Sequence, residues 1–212
     1  MSKLHPSRAR GRPSEPAAED LREKLLDAAE VRFAEQGYAA ISLRSLAEEV
    51  GVNPSLLHYY FGSKHELMLA VLHRALEPLA EAVATLRQSE EVESRDMTAL
   101  LFRAISAHPT LPRLLVREVL LGEDRFRDYF REHFAPRLGA VLAQVLRSEQ
   151  QHGHLDPAFD ANTLVLMILG LCLFPFVAQP VAEPLLGVDY SPAGRERLLG
   201  QVDRILQKGI LP

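Results

Sequence analysis

The chain has one cysteine, no tryptophan and no apolar run longer than that over residues 163–178. The single thiol, Cys172, excludes intramolecular disulfides and is typical of a reducing compartment. The run over 163–178 (TLVLMILGLCLFPFVA) contains a proline and is shorter than the ~20 residues that a membrane span needs. It therefore predicts a buried helix, in which Cys172 is expected to be inert, with redox sensing as the alternative.

Common catalytic motifs are also absent. The sequence contains no GxSxG, GxGxxG, GxxxxGK[ST], HExxH or SxxK pattern. Their absence disfavours an enzyme, although a histidine and a carboxylate brought together only by the fold stay an alternative. No cofactor is expected.

One short histidine-rich segment, QHGHLD over 151–156, could begin a metal site. His152, His154 and Asp156 are fewer ligands than the four of a structural zinc site. A polar turn is the expected structure, and no metal is predicted.

The segment over 42–67 (SLRSLAEEVGVNPSLLHYYFGSKHEL) carries the strongest pattern in the chain. Ser42 can cap a helix whose apolar positions, Leu43, Leu46, Ala47 and Val50, have helical spacing, and Gly51 ends it. Asn53 can cap a second helix, because Pro54 fits a first turn that needs no backbone N–H. Ser63 can cap the helix that follows.

The second of these helices is expected to bury two residues, Leu57 and Phe61, and to present the others. The residues expected near the outer surface are Asn53, Ser55, Leu56, His58, Tyr59 and Tyr60. Two short helices joined by a glycine turn indicate a helix-turn-helix, whose second helix reads base edges in the major groove. Arg44 and Lys64 lie where a phosphate strand would pass. The alternative is a generic helical hairpin.

With these residues the chain resembles the TetR family of transcriptional repressors. The resemblance rests on residues 21–37 (LREKLLDAAEVRFAEQG), on Tyr38 and on 51–67 (GVNPSLLHYYFGSKHEL). It implies an all-α fold with an N-terminal three-helix helix-turn-helix domain and a C-terminal helical domain for ligand binding and dimerisation. The implied function is a ligand-responsive, sequence-specific repressor that a small molecule releases from a near-palindromic operator.

The resemblance also implies phosphate contacts by Ser42, by Lys64 and by an aromatic and histidine pair at the end of the second helix. His58 stands where tyrosine is more usual and Tyr60 where histidine is more usual, yet both can donate a hydrogen bond. The residues predicted to contact DNA are Arg10, Arg12, Ser42, Arg44, Asn53, Pro54, Ser55, Leu56, His58, Tyr59, Tyr60 and Lys64.

The basic charge is concentrated at the N-terminus. Residues 1–12 carry +4 and no acid, and because the whole chain carries −4, the remainder carries −8. The RGRP segment over 10–13 could lie in an A·T-rich minor groove, with a solvated disordered terminus as the alternative. The acidic remainder argues against an architectural protein that coats DNA.

The expected organisation is a basic arm over 1–18, a DNA-binding domain over 19–66 and a sensing and dimerisation domain over 67–212. The pattern in the last part predicts helices over 64–86, 97–107, 110–121, 123–150, 158–178 and 192–208, with a bend at Pro78 and a disturbance at Pro136. Because no apolar stretch follows the charged N-terminus, we expect a cytoplasmic protein without a membrane segment.

The last two predicted helices, one apolar and one amphipathic, favour a homodimer, because one subunit alone would leave apolar surface exposed. A monomeric core that buries both is the alternative. For the small-molecule effector the family analogy favours a site around 108–134, with a plain core or a structural ion pair as the alternative. The candidate ligand-binding residues are Arg117, Glu118, Tyr129, Phe130, His133 and Phe134.

Overall fold

The computed structural model describes residues 15–88 and 92–209, and this part of the chain forms helices and no strand. The helices are α1 (Glu15–Gln36), α2 (Leu43–Val50), α3 (Pro54–Phe61), α4 (Lys64–Thr85), α5 (Ser94–Ala107), α6 (Leu111–Leu114), α7 (Asp124–His133), α8 (Ala135–Gln151), α9 (Ala161–Val177), α10 (Gln179–Leu186) and α11 (Pro192–Gly209). The all-α fold that the sequence predicts is confirmed.

Helices α1, α2 and α3 form an N-terminal unit around a small apolar core. Leu25 and Phe33 of α1, Leu46 of α2 and Leu57 of α3 are almost completely buried. Burial of such side chains contributes on the order of 1.5–3 kcal/mol each. This unit therefore holds its two short helices against α1 rather than relying on their own helical propensity.

Helix α4 connects the N-terminal unit to the body, which comprises α5 to α11. Its apolar face is buried along the whole helix, and Pro78 lies inside it without ending it. On the opposite side the Arg74 guanidinium makes ion pairs with Glu23, Asp27 and Glu30 of α1 at 3.3, 2.8 and 2.6 Å. Helix α4 is thus fixed to α1 by charge and to the body by packing.

Two helix predictions in the body are wrong in part. The helix expected over 123–150 is interrupted at Phe134. Pro136, which has no N–H to donate, stands in the first turn of a new helix, α8, where no intrahelical N–H bond is needed. The helix expected over 110–121 is a short α6 followed by a π-helical segment, Leu115–Leu120, which we call the π segment. Helix α10 has no counterpart among the predicted helices.

The π segment joins the body to the N-terminal unit through two adjacent residues. The Arg117 guanidinium donates to the backbone carbonyls of Glu35 and Gln36, at 2.8 and 2.7 Å. These are among the last carbonyls of α1, which have no partner inside their own helix. Next to it, the buried Glu118 carboxylate accepts a hydrogen bond from the Tyr38 backbone N–H at 2.9 Å.

Within the described residues no single helix is long and apolar enough to cross a membrane. Helices α9 and α10 reach the necessary length and hydropathy only when joined, and a bend of 70° separates them. Cys172 lies completely buried in α9, and burial raises the pKa of its thiol to about 12. The thiol is therefore protonated and unreactive at neutral pH, as the sequence predicts.

Candidate nucleic-acid interface

The frame of the helix-turn-helix is built by capping residues, as the sequence predicts. Ser42 caps α2: its hydroxyl oxygen accepts a hydrogen bond from the Ser45 backbone N–H at 3.0 Å, and the Ser45 side chain completes a capping box. Gly51 ends α2 with φ +75°, a left-handed conformation that favours glycine. Asn53 then caps α3 by accepting from the Ser55 N–H at 2.9 Å.

Helix α3 has one buried and one exposed face. Leu57 and Phe61 are buried in the core of the N-terminal unit, as expected. On the other side Asn53, Ser55, His58 and Tyr59 are exposed, with Tyr59 68% exposed, whereas Pro54, Leu56 and Tyr60 are half-buried. Ser55, His58 and Tyr59 therefore form the exposed side of α3, with Asn53 at its start, and we call this side the α3 face.

His58 is held in a defined orientation at the end of α3. Its Nδ1 lies 2.9 Å from the Gly62 carbonyl oxygen, so Nδ1 carries the proton and donates to that oxygen. In the neutral ring Nε2 is then an acceptor. A neutral His58 can accept a hydrogen bond from a base amino group, but it must be protonated to donate one to a phosphate.

Tyr59 and Tyr60 pack against each other edge to face, with ring centroids 5.2 Å apart. Tyr60 also packs against the apolar core, and its ring lies 6.3 Å from that of Phe61. The core thus holds the Tyr60 ring in place beside the more exposed Tyr59 ring.

Lys64 begins α4 and rests on an aromatic ring. Its Nζ lies 4.2 Å from the ring centroid of Tyr38, and the Arg125 guanidinium of α7 lies 4.9 Å from the same centroid. Burial lowers the pKa of the Lys64 ammonium from its usual value. To reach a phosphate, Lys64 has to exchange this cation–π contact for one with DNA. No local pattern predicts Arg125 beside Lys64, because 61 residues separate the two.

The remaining predicted DNA contacts lie on α2 or outside the described part. Arg44 is exposed on α2, and its Nε lies 3.0 Å from Glu48 Oε1 in an ion pair one turn apart. Such an exposed pair is weak, so a phosphate can replace Glu48. Arg10 and Arg12 lie outside the described residues.

The structure divides the candidate ligand-binding residues into two groups. Arg117 and Glu118 contact the N-terminal unit, as described above. Tyr129, Phe130, His133 and Phe134 form an aromatic cluster, with Tyr129 stacked on His133 at 4.3 Å between centroids. Phe134 is completely buried.

A groove of about 530 Å³ opens beside Tyr129, between α1, α4 and α7. The Tyr129 hydroxyl lies 3.3 Å from His73 Nδ1, and Leu26 and Leu69 are among the apolar residues that line the groove. Burial raises the pKa of the Tyr129 phenol, and the carboxylates of Glu77 and Glu66 raise it further. The Tyr129 hydroxyl is therefore a neutral hydrogen-bonding group at the groove.

The two histidines of the QHGHLD segment lie with their ring centroids 6.3 Å apart. His152 is engaged locally, since its Nδ1 lies 2.8 Å from the Ser148 carbonyl oxygen. Across residues 15–88 and 92–209 no group of three or more histidine, cysteine or carboxylate side chains is placed to hold a metal ion.

Comparison with known proteins agrees with this geometry. Residues 25–71 match the model of bacterial regulatory proteins of the tetR family, and residues 91–202 match the model of the tetracyclin repressor-like C-terminal domain. The HTH-type transcriptional regulator BetI of Rhizobium meliloti is 30% identical over 179 residues, which cover 81% of this chain and 84% of the relative. The HTH-type transcriptional repressor SCO4008 of Streptomyces coelicolor is 28% identical over 77% of this chain and 82% of the relative.

Solved structures share the fold. The ketosteroid transcriptional regulator KstR2 of Mycobacterium tuberculosis superposes with a TM-score of 0.72 at 21% identity, covering 91% of this chain and 95% of that one. A transcriptional regulator from Saccharomonospora viridis, determined in complex with choline, superposes with a TM-score of 0.65 at 18% identity, covering 92% and 99%.

A capped helix-turn-helix on a helical body defines a ligand-responsive, DNA-binding transcriptional regulator. This chain belongs to the tetR family of bacterial regulatory proteins. Regulators of this family bind DNA and small-molecule effectors and act as dimers. The matched family and relatives are thus regulators rather than enzymes.

Proposed function

We propose that the chain is a cytoplasmic repressor that binds a near-palindromic operator as a homodimer and leaves it when a small molecule binds. The observation that carries this proposal is the α3 face, on which Ser55, His58 and Tyr59 are exposed while Leu57 and Phe61 anchor the helix. A two-fold pair of such helices reads two half-sites about 34–36 Å apart.

The α3 face and its surroundings divide by chemistry into two kinds of contact. Asn53, Ser55, His58 and Tyr59 read base edges by hydrogen bonding, with Pro54 and Leu56 adding apolar contact of the kind that a thymine methyl offers. The residues assigned to phosphates are Ser42, Arg44, Tyr60 and Lys64. The arm residues Arg10 and Arg12 add minor-groove contacts.

The homodimer forms through α9 and α11. Helix α9 leaves Leu166, Met167 and Phe174 exposed, and α11 leaves Ile205 exposed. Several large aliphatic and aromatic side chains left exposed on these two helices favour an interface over free surface. A second copy that covers them places two N-terminal units in one molecule.

The effector binds beside the aromatic cluster of α7. The groove at Tyr129 contacts α1, α4 and α7, so that a ligand there lies between the N-terminal unit and the body. Its lining combines the apolar Leu26 and Leu69 with charged side chains, and with the Tyr129 hydroxyl this mixture suits an aromatic or amphipathic molecule. Phe130, His133 and Phe134 support the wall that Tyr129 presents.

The signal passes to DNA through the π segment. Three residues separate helix α7 from the π segment, and Arg117 and Glu118 of that segment hold the C-terminal end of α1 and the Tyr38 backbone. A shift of α7 therefore changes the position of α1 and of the helices packed on it. The effector must bind more tightly to the arrangement whose α3 helices are wrongly spaced for DNA, because only differential affinity shifts the equilibrium.

Selection of fragments from the source genome on the purified protein tests the DNA-binding function. We expect enrichment of one set of near-palindromic sequences, with retention that falls as salt rises. The matched control is a Ser55→Ala, His58→Ala double variant, in which both changed residues are exposed, so that the fold is retained and the enriched set changes. A folded wild-type sample that enriches no fragment, even at low salt, contradicts the proposal.

A further inference from the structure

Helix α10 is an exposed element without a core of its own. None of its eight residues is buried, and Val181, Leu185 and Leu186 are 62%, 74% and 72% exposed. Val181 and Leu185 stand four residues apart and so share one face of the helix. Pro180 and Glu183, which lie on other faces, line a groove with Val31 of α1 and Thr110. One side of α10 thus borders this chain, and its aliphatic side has no cover within the described residues.

The exposed aliphatic side of α10 continues the exposed face of α9. Phe174 lies in the last turn of α9, only Ala178 separates the two helices, and Val181 follows within the first turn of α10. The 70° bend turns the chain at this point, while the sequence of exposed apolar residues runs on past it. Exposed apolar side chains therefore follow one another along the chain from α9 across the bend into α10.

The area of this surface indicates what covers it. A stable interface buries about 800 Å² on each partner. At the exposures observed, each large apolar side chain has roughly 100 Å² of accessible surface that a partner could bury. The four exposed residues of α9 and α11 then supply about half of the required area, and Val181 and Leu185 of α10 supply about half of the rest.

We propose that α10 packs its Val181 and Leu185 face on the body of a second copy of this chain. The inference rests on the homodimer described under the proposed function and extends its interface beyond α9 and α11. In a two-fold dimer the contact occurs twice, so that each copy is held by the α10 of the other. Pro180 and Pro184 restrict the backbone of α10 and reduce the conformational freedom lost on assembly.

A dye attached at position 185 reports this contact directly. Because burial keeps the Cys172 thiol unreactive, a Leu185→Cys variant carries one reactive thiol for an environment-sensitive dye. We expect its emission to shift to the blue as protein concentration rises, with the midpoint that sedimentation gives for dimer formation. A Leu121→Cys variant is the control, since Leu121 is 79% exposed at the end of the π segment. Its dye should show no shift.

Glutamate substitutions on the same face of α10 provide the second test, which measures the dimer dissociation constant. A Val181→Glu, Leu185→Glu variant should raise the dimer dissociation constant at least tenfold, whereas Leu121→Glu should leave it unchanged. Met167→Glu on α9 reports on the dimer itself. If Met167→Glu dissociates the protein while the α10 variant stays dimeric and its dye stays unshifted, the α10 contact is refuted and the homodimer stands. A wild-type protein that is monomeric at every concentration refutes both the homodimer and the α10 contact. A dye shift that occurs only with DNA or lipid vesicles refutes the α10 contact.

Discussion

The Glu118 carboxylate accepts a hydrogen bond from the Tyr38 backbone N–H at 2.9 Å, across 80 residues of sequence. Glu118 is only 5% exposed, so water competes poorly for the bond. Arg117 reaches the end of α1 from the neighbouring position, and Phe126 of α7 packs edge to face on the Tyr38 ring with centroids 4.9 Å apart. Tyr38 is therefore a point at which the N-terminal unit is attached to the body by its backbone and by its ring.

The loss of stability on replacing Glu118 should depend on whether the new side chain keeps a hydrogen-bond acceptor. Glu118→Ala leaves the Tyr38 N–H without its partner and should lower the free energy of unfolding by about 1–3 kcal/mol. Glu118→Gln keeps a carbonyl oxygen and should cost less. Urea unfolding measures both, and amide hydrogen exchange at Tyr38 localises the change. Glu132→Ala, at an exposed position of α7, is the control, and equal losses in it and in Glu118→Ala would show that the bond contributes nothing.

Lys64 should contribute charge, rather than sequence preference, to DNA binding. Lys64→Ala should weaken binding to all sequences by a similar factor and lower the slope of log K against log salt by about 1. Tyr60→Ala should also weaken binding to all sequences. Lys24→Ala is the control, because Lys24 is exposed on α1 and paired with Asp20. Fluorescence anisotropy across a salt series measures the slope, and an unchanged slope in Lys64→Ala would exclude a phosphate contact.

Two glycine-to-alanine substitutions should change stability in opposite directions. Gly51 has φ +75° with open space around it, so alanine there meets no neighbour but is strained by the backbone and should cost about 1 kcal/mol. Gly139 lies inside α8, also in open space, where alanine should stabilise by about 0.5–1 kcal/mol. Thermal unfolding of the two variants compares them. Destabilisation by both would mean that Gly139 is needed for more than its helix.

The Glu77 ion pair with Arg137 should make stability depend on acid pH. Two hydrogen bonds from the Arg137 guanidinium, at 2.8 and 2.6 Å, lower the pKa of the Glu77 carboxyl below its usual 4.5. The folded state thus favours the ionised carboxylate, and the stabilisation is present above about pH 4.5 and disappears as the pH falls through the lowered pKa.

A Glu77→Gln variant should accordingly be less stable than wild type at pH 7, within the ~1 kcal/mol typical of partly exposed pairs. The difference should shrink as the pH falls below the usual carboxyl range. Chemical unfolding at a series of pH values measures it, with Glu132→Gln as the exposed control. A difference that is constant from pH 7 to pH 3 would indicate that the pair does not titrate as described.

The local features of the N-terminal unit could be predicted because each depends on residues close in sequence. The caps at Ser42, Asn53 and Ser63 are all confirmed, and each hydrogen bond spans at most three residues. The buried pair Leu57 and Phe61 is confirmed for the same reason, since helical spacing alone places them on one side.

The features that the sequence could not predict depend on contacts between distant segments. Arg117 and Glu118 are predicted at a ligand site, but no local pattern indicates that Arg117 also contacts the end of α1 and that Glu118 accepts from the Tyr38 backbone N–H. The helix expected over 123–150 has the apolar spacing of one long helix, but it breaks at Phe134, two residues before Pro136. Helix α10 was missed because two prolines in eight residues argue against a helix.

The capping of α1 by Arg117 bears on domain grafting. Residues 15–63 contain every helix of the DNA-reading unit, yet two carbonyls at the end of α1 and the Tyr38 amide take their partners from the sensing half of the chain. A chimaera that joined these residues to a foreign sensor would leave those groups to water and would fray where α1 ends. To respond to its new effector, the host would have to supply an arginine and a carboxylate at the same two points.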